Sequence, residues 1–204
     1  MKALMCHAFG PISDLRLEDV ADPSLAAGQV VIKVEAASIN FPDALIVQGL
    51  YQFKPPLPFS PGAELAGIVE SVGEGVRHFK AGDRVIASTG HGAFAERCVA
   101  NETHVSPLPA GMDFELGAAF VLTYGTSLHA LQQIAKLQAG ETLLVLGAAG
   151  GVGLAAIEIA KAMGARVIAA ASSAEKLALC KQIGADETIN YEEEELRKRV
   201  DAMT

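Results

Sequence analysis

The residues with the clearest chemical meaning form a glycine-rich turn at positions 147–153, of sequence GAAGGVG. An apolar strand is predicted before it, at 142–146, and an apolar helix is predicted at 151–163. A strand, a glycine turn and a helix in direct succession bind anions, because the helix N-terminus presents unpaired N–H groups and glycine lets a phosphate approach the backbone. The turn therefore predicts a dinucleotide site, with Ala148 at the first glycine of the GxGxxG pattern. A tight packing turn in a sheet that binds nothing is the alternative.

The residues after the second predicted strand, at 166–170, indicate which dinucleotide binds. An NAD site has an acidic residue there, which accepts a hydrogen bond from the ribose 2′-hydroxyl. Here Ser172 and Ser173 occupy the position, and the first acid, Glu175, already lies in the next predicted helix. Small hydroxyl side chains leave room for a 2′-phosphate, and Lys176 supplies a positive charge nearby. The sequence therefore favours NADP(H), with an ordinary surface lysine as the alternative for Lys176.

Two segments of different texture must position these residues. The first, up to about residue 110, consists of short β-branched runs separated by glycine and proline corners, which predicts a compact barrel-like domain. The second alternates apolar strands with helices, and this β-α-β-α-β-α series predicts a parallel doubly wound sheet. Asp113 is predicted to cap a short helix between them. The main predicted strands are 30–36, 64–72, 84–87, 92–99, 142–146, 166–170 and 187–190, and the helices are 126–137, 151–163, 173–183 and an acidic-then-basic 192–203.

Composition argues against several classes of function. The 204 residues are 50% hydrophobic and 20% charged with a net charge of −8, so the chain can form a core but is a poor partner for nucleic acid. Cys6, Cys98 and Cys180 are far apart and form no CxxC or Cys/His cluster, which points to a reducing compartment. No signal core is evident, and the longest uncharged apolar stretch is too short to span a bilayer. We therefore expect a cytoplasmic protein without nucleic-acid or membrane partners.

Short motifs along the whole chain resemble the zinc-independent NADPH:quinone oxidoreductase branch of the medium-chain dehydrogenase/reductase superfamily. None of them is specific alone, but they occur in the family's order: SINFPD at 38–43, QGLY at 48–51, PGAELAGIV at 61–69, FKAGDRV at 79–85, GAFAE at 92–96, AAGGVG at 148–153 and INY at 189–191. The resemblance implies a GroES-like catalytic domain at residues 1–120. It also implies the N-terminal half of an NADP-binding Rossmann domain at residues 121–204.

The resemblance also bears on zinc. Alcohol dehydrogenase members hold a catalytic zinc with a cysteine near Asn40 and a histidine directly before the glutamate that matches Glu64. Here the first region has no cysteine and the histidine position is Ala63, so a tetrahedral zinc site cannot be assembled. The four-cysteine structural zinc lobe is absent too, and His91 stands alone in that region. We therefore expect no bound metal.

The family's cofactor contacts map onto Asn40, Thr126, Gly150, Gly151, Val152, Lys176 and Tyr191, and the turn and strand-end arguments add Gly153 and Ser172. In NADPH-using relatives, residues matching Lys176 and Tyr191 grip the 2′-phosphate. The substrate is implied near Asn40 and Tyr51, which are the two candidate catalytic residues. Leu45 stands where some relatives carry a tyrosine, so substrate contacts differ there. Tyr51 as a packing residue and Tyr191 as an aromatic lid over the sheet edge are the alternatives.

The resemblance implies zinc-free hydride transfer from NADPH to a quinone or an α,β-unsaturated carbonyl, in a family whose full-length members are usually homodimers. Asn40 could hydrogen-bond the nicotinamide carboxamide, the ribose or the substrate carbonyl. Two other functions stay open: an enoyl-thioester (acyl-CoA) reductase, and a non-catalytic truncated remnant that at most binds NADP(H). The second arises because the elements predicted after Leu122 make only one of the two βαβαβ halves of a complete dinucleotide fold.

Overall fold

The β-branched runs of the N-terminal half form an antiparallel sheet. A computed structural model describes residues 1–204, which fall into two units, Met1–Val121 and Leu122–Thr204. The first unit contains β1 (Lys2–Met5), β2 (Arg16–Asp19), β3 (Gln29–Ala37), α1 (Phe41–Val47), β4 (Glu64–Val72), β5 (Arg84–Ser88), β6 (Arg97–Asn101), β7 (Val105–Pro107) and α2 (Phe114–Ala118). Five of its strands form one sheet in the order β6-β3-β4-β5-β7, and β1 pairs with β2 in a separate ribbon.

Aliphatic side chains hold this first unit together. Ile32 on β3, Leu65 and Val69 on β4 and Val85 on β5 are fully buried in one cluster, as expected for strands that present alternate residues to a core. Register shifts between Val31 and Ile32 and between Val34 and Ala36 bend β3 against β4.

Two sequence expectations for this unit have different outcomes. Asp113 caps α2 as predicted, since its carboxylate accepts the Leu116 N–H at 2.7 Å. The strand expected at 92–99 is wrong at its start, because β6 begins only at Arg97. Gly92 has φ +101°, which breaks an extended run, and Ala95 makes only an isolated bridge to Ala3.

The second unit alternates helices and parallel strands. It contains α3 (Val121–Leu128), which starts at the unit boundary and continues as a π-helical segment His129–Ile134, then β8 (Thr142–Leu146), α4 (Gly151–Ala162), β9 (Arg166–Ala171), α5 (Ala174–Ile183), β10 (Glu187–Asn190) and α6 (Leu196–Met203). The three strands form a parallel sheet in the order β10-β9-β8, with Ile157, Val167 and Ile189 fully buried around it. This architecture confirms the predicted α/β fold with a β-rich unit before it. No helix combines the length and apolar character that crossing a membrane requires.

The last helix is shorter than its charge pattern predicts. The sequence indicates a helix from residue 192, but α6 begins at Leu196. The side-chain oxygen of Asn190 accepts the Glu192 N–H at 3.2 Å and its backbone oxygen accepts the Glu194 N–H at 2.8 Å. These bonds make a local turn that competes with helix formation. The acidic run therefore lies before the helix, where Glu194 pairs with Arg199 at 2.5 Å.

Asp186 connects three elements of the second unit. Its Oδ2 atom accepts the Val167 N–H of β9 at 2.6 Å and lies 2.8 Å from the Lys161 ammonium of α4. The hydrogen bond from Lys161, with a further one from the Val167 amide, holds the pKa of Asp186 below its ordinary value. Val167 is fully buried, whereas the Asp186 side chain that accepts its N–H is 36% exposed.

Asp186→Ala should lower the free energy of unfolding by about 1 kcal/mol at neutral pH, because it removes the acceptor of the Val167 N–H and of the Lys161 ammonium. Asp186→Asn keeps an oxygen acceptor and should lose less. Since the pKa is depressed on folding, the contribution is present above the ordinary carboxyl pKa and is lost as pH falls through the folded value. Urea unfolding of both variants across acid pH measures this. Equal stability of the alanine variant and the native chain at neutral pH would show that the bond contributes nothing.

Candidate functional site

The glycine turn lies at the carboxyl edge of the parallel sheet, between β8 and α4. Gly147 has φ +60°, a left-handed conformation that glycine adopts without strain. The Gly150 N–H donates to the Gly147 carbonyl at 3.0 Å, which closes the turn. The Ala148 N–H donates to the Ala170 carbonyl at 3.0 Å, which ties the turn to the end of β9. The turn is therefore a fixed backbone structure rather than a free loop.

The turn opens onto the N-terminus of α4. No side chain caps this helix at Gly150, and its first backbone bond runs from the Leu154 N–H to the Gly150 carbonyl at 2.8 Å. The amides of Gly151, Val152 and Gly153 precede that bond, so they have no carbonyl partner within the helix. Together with the positive end of the helix dipole they can hold an anion such as a pyrophosphate.

Two glycines of the turn differ in what surrounds them. A Cβ atom at Gly153 would lie 2.6 Å from the Ala148 carbonyl oxygen, so only glycine lets α4 pack this closely on the turn. A Cβ atom at Gly150 would meet nothing nearer than the Gly147 oxygen at 3.5 Å, which is an ordinary contact. Packing therefore explains why residue 153 is glycine, but it does not explain the glycine at position 150. Space at Gly150 is what a bound phosphate would need, so the turn fits a dinucleotide.

A positive charge lies beyond the end of β9. The Lys176 ammonium donates to the Ser172 hydroxyl at 2.9 Å, and the Ser173 hydroxyl caps α5 by accepting the Lys176 N–H at 3.4 Å. A cavity of about 480 Å³ lies between Ala149 of the turn and α5, with Ser173, Glu175 and Lys176 in its lining. Because the lysine is exposed and bonded only to a hydroxyl, it can pair with an anionic ligand.

Tyr191 comes directly after β10, at the same edge. Its N–H donates to the Ala171 carbonyl at 3.2 Å, and the preceding residue, Asn190, pairs with Ala171 in the sheet. Its side chain is 39% exposed, so the ring is accessible to a ligand. The second unit thus brings Gly150, Lys176 and Tyr191 to one edge of the sheet.

α3 supplies contacts to the turn that the sequence did not reveal. The buried Ser127 hydroxyl donates to the Val152 carbonyl at 2.8 Å, which fixes α3 against the start of α4. Tyr124 hydrogen-bonds Glu158, and this bond raises the pKa of the Tyr124 phenol. Thr126, the predicted cofactor residue, is exposed on the same helix, next to Ser127. A serine next to an exposed threonine in a helix is a weak sequence signal, so the contact of Ser127 with the turn could not be predicted from the sequence.

Asn40 in the first unit belongs to a polar network. Its Nδ2 donates to the Ser38 hydroxyl at 2.8 Å, and that hydroxyl donates to Glu64 Oε1 at 2.6 Å. Asn40 also begins α1, where its N–H donates to Asp43 Oδ2 at 2.7 Å. Glu64 and Asp43 are 1% and 3% exposed. Burial raises the pKa of Asp43, although backbone N–H groups of Asn40 and Ala63 act in the opposite direction.

The other candidate catalytic residue, Tyr51, is half-buried. It packs against an apolar cluster made of Cys6, Ile46, Val47 and Phe59. The packing interpretation of Tyr51 therefore has direct contacts. Leu45 lies on α1, directly before Ile46 and Val47 of this cluster.

The residues that replace the zinc ligands are apolar or engaged elsewhere. Ala63 is buried directly before Glu64. His91 packs on the rings of Phe53 and Phe59, with ring centroids 6.1 and 6.0 Å apart, and burial lowers the pKa of its imidazole. No three His, Cys, Asp or Glu side chains are arranged so that they could hold a metal ion. The residues present do not fit a zinc ion.

Comparison with known proteins identifies the family. Residues 26–110 match the alcohol dehydrogenase GroES-like domain, and residues 151–204 match the zinc-binding dehydrogenase family. The quinone oxidoreductase of Rattus norvegicus is 44% identical over 195 residues, which are 95% of this chain and 59% of that protein. The chain therefore spans about three fifths of the length of such relatives.

Solved structures show the same relationship. The Escherichia coli quinone oxidoreductase complexed with NADPH superposes with a TM-score of 0.94 at 36% identity, over 100% of this chain and 62% of that chain. An NAD-dependent alcohol dehydrogenase superposes with a TM-score of 0.94 at 34% identity, over 100% of this chain and 67% of that chain. With the ordered motifs and both domain matches, these similarities show that the chain belongs to the quinone oxidoreductase branch of the medium-chain dehydrogenase/reductase superfamily.

Proposed function

We propose that the chain binds NADP(H) at the carboxyl edge of β8, β9 and β10, and that it acts as an oxidoreductase. The reaction is hydride transfer from NADPH to a quinone or an α,β-unsaturated carbonyl, without zinc. The observation that carries this proposal is the uncapped start of α4 beside the Lys176–Ser172 pair, since one offers amides to a pyrophosphate and the other a cation to a 2′-phosphate. Residues 1–120 would be the GroES-like catalytic domain and residues 121–204 half of the NADP-binding domain.

The residues present fit this cofactor. Gly151, Val152 and Gly153 would offer backbone N–H groups to the pyrophosphate, while Gly150 leaves space for its approach. Lys176 would pair with the 2′-phosphate, with Ser172 and Tyr191 at its side. Thr126 would add a hydroxyl from α3. The bound cofactor supplies the hydride, and the protein binds it, orients it and excludes water around it.

The choice of NADP(H) over NAD(H) rests on this chain's own residues, because one superposed relative is described as NAD-dependent. An acid directly after β9 would bind a ribose 2′-hydroxyl and repel a phosphate. Here Ser172 and Ser173 follow β9, while Glu175 lies within the first turn of α5. This arrangement favours the phosphorylated cofactor.

Asn40 and Tyr51 are proposed for the nicotinamide end of the cofactor and for the substrate. Hydride transfer to an enone or a quinone builds negative charge on a carbonyl oxygen, which a hydroxyl such as that of Tyr51 can stabilise. Zinc is not needed for this role, and it does not fit: Ala63 occupies the histidine position and residues 151–204 contain no histidine. The homodimer implied by the family stays a prediction for this chain.

Binding and turnover need separate experiments, because the chain spans 59% of the rat relative's length. Titration of NADPH followed by its fluorescence should show saturable binding. Absorbance then follows NADPH oxidation with a small quinone, an enone and an enoyl-CoA. Oxidation with the quinone or the enone supports the proposed reaction, and preference for enoyl-CoA would support the thioester reductase instead. Binding without any oxidation would contradict the catalytic part and leave an NADP(H)-binding module.

A further inference from the structure

We infer that Glu64 and Ser38 are positioning residues that fix the polarity of Asn40, so that Asn40 offers its ligand a hydrogen-bond acceptor and not a donor. Ser38, Asn40 and Glu64 all lie in the first unit. Our identification of the ligand as the nicotinamide riboside half of NADP(H) rests on the proposed function. Its consequence is that the group which meets Asn40 must itself be a donor.

The polarity begins at Glu64, the first residue of β4, which is 1% exposed. A carboxylate oxygen accepts hydrogen bonds. The Ser38 hydroxyl donates its single proton to Glu64 Oε1 at 2.6 Å. Because its proton is used in that hydrogen bond, the Ser38 oxygen can only accept a hydrogen bond from its other neighbour.

That other neighbour is the carboxamide of Asn40, 2.8 Å away. A group facing the lone pairs of Ser38 has to donate, so the Nδ2 branch of Asn40 points inward. The same Nδ2 lies 3.4 Å from Glu64 Oε1, a second acceptor. Turning the carboxamide over would set Oδ1 against both oxygens, and acceptor would face acceptor in a partly buried site. The orientation thus follows from chemistry and not from a choice between similar atoms.

The Oδ1 branch of Asn40 faces the start of α1. The Asp43 N–H donates to the backbone oxygen of Asn40 at 3.0 Å, and the side chains of Asn40 and Asp43 form a capping box in which the Asn40 side chain also faces this N–H. A carbonyl oxygen has two lone pairs, so Oδ1 keeps acceptor capacity for a ligand. The flanking residues Ile39 and Phe41 are 84% and 77% exposed, so this stretch of chain is open to solvent.

This polarity narrows the partners that the sequence left open for Asn40. The nicotinamide carboxamide N–H₂ group and the ribose hydroxyls can donate a hydrogen bond, so they match the remaining lone pair of Asn40 Oδ1. A substrate carbonyl is an acceptor, and the oxyanion that it becomes is a stronger one, so neither can bond to Oδ1. Asn40 therefore orients the cofactor and does not stabilise the charge that develops on the substrate.

Nuclear magnetic resonance tests the polarity without any cofactor. In the ¹⁵N-labelled chain, the side-chain NH₂ signals of Asn40 are identified by their loss in Asn40→Ala. We expect slow exchange of one of these protons with water, faster exchange in Ser38→Ala, and recovery in Ser38→Thr, which keeps the hydroxyl. Ser106→Ala, at an exposed serine of the same unit, is the control. Fast exchange in the native chain, unchanged by Ser38→Ala, would overturn the inference.

Cofactor analogues test the consequence for ligand binding. The reduced 3-acetylpyridine analogue of NADPH has a methyl ketone in place of the carboxamide and so lacks its N–H donors. The native chain should bind it about five- to tenfold more weakly than NADPH, and Ser38→Ala should reduce that ratio to near one. A loss confined to an analogue without the nicotinamide ribose 2′-hydroxyl would place the donor on the ribose. Equal affinity for all three would overturn the acceptor role. Failure of NADPH itself to bind would contradict the proposed function, while the polarity would still be decided by the resonance experiment.

Discussion

Lys176→Ala is expected to weaken NADPH binding by about 10- to 100-fold and to leave NADH binding within about twofold. The Lys176 ammonium is exposed and hydrogen-bonded to the Ser172 hydroxyl at 2.9 Å, so in the native chain it can pair with a 2′-phosphate. NADH lacks that phosphate and gains nothing from the lysine. Fluorescence titration of both cofactors with the native chain and the variant measures the two ratios.

The matched control for this experiment is Lys181→Ala. Lys181 lies on the same helix, α5, but its ammonium donates to the Asp186 carbonyl, away from the strand ends. Lys181→Ala removes the same charge from the chain as Lys176→Ala does. It should change the affinity for NADPH and for NADH by no more than about twofold at moderate salt. Equal losses for NADPH and NADH in Lys176→Ala, or no loss for either, would contradict the assignment of Lys176 to the 2′-phosphate.

Gly150→Ala is expected to weaken NADPH binding, whereas Gly153→Ala is expected to destabilise the fold. Gly153→Ala should lower the free energy of unfolding by about 1–3 kcal/mol, because its Cβ would lie 2.6 Å from the Ala148 carbonyl oxygen and α4 must shift. Gly150→Ala should change the free energy of unfolding by less than about 1 kcal/mol, since its φ of −77° suits alanine and its Cβ has room, although alanine is a poorer N-cap than glycine. It should nevertheless weaken NADPH binding by about tenfold or more, because the methyl group occupies the space that the phosphate needs.

Urea unfolding and NADPH titration of the two variants separate packing from binding. Native stability with native affinity in Gly150→Ala would mean that no phosphate approaches this part of the turn. Native stability in Gly153→Ala would mean that the close approach of α4 to Ala148 is not needed for the fold.

Local signals in the sequence were enough for most of the second unit. The strands β8 and β10 have the predicted bounds, because β8 is a short apolar run followed by Gly147 and β10 ends at Asn190, and both of these residues favour turns. Ser173 caps α5 at the predicted position of the helix start, and Gly147 takes the left-handed conformation that the strand-to-helix turn requires. In these cases the determining interaction spans only a few residues, so it is visible in the sequence.

Interactions between distant residues could not be predicted in this way. The contact between Ser38 and Glu64 depends on how β3 and β4 align, including the register shifts that bend β3. The bond from Ser127 to Val152 likewise depends on the docking of α3 on α4. The helix α6 begins at Leu196 and not at residue 192, because the oxygens of Asn190 hold the following amides in a turn that helix propensity does not describe.

The measurement that tests the central claim most directly is a parallel titration of the 204-residue chain with NADPH and with NADH. The arrangement of the uncapped α4 start, Lys176 and Tyr191 predicts saturable binding of one NADPH per chain, at least about tenfold tighter than that of NADH. Equal affinity for the two cofactors, tighter binding of NADH, or no saturable binding of NADPH would contradict the claim that this sheet edge is an NADP(H) site.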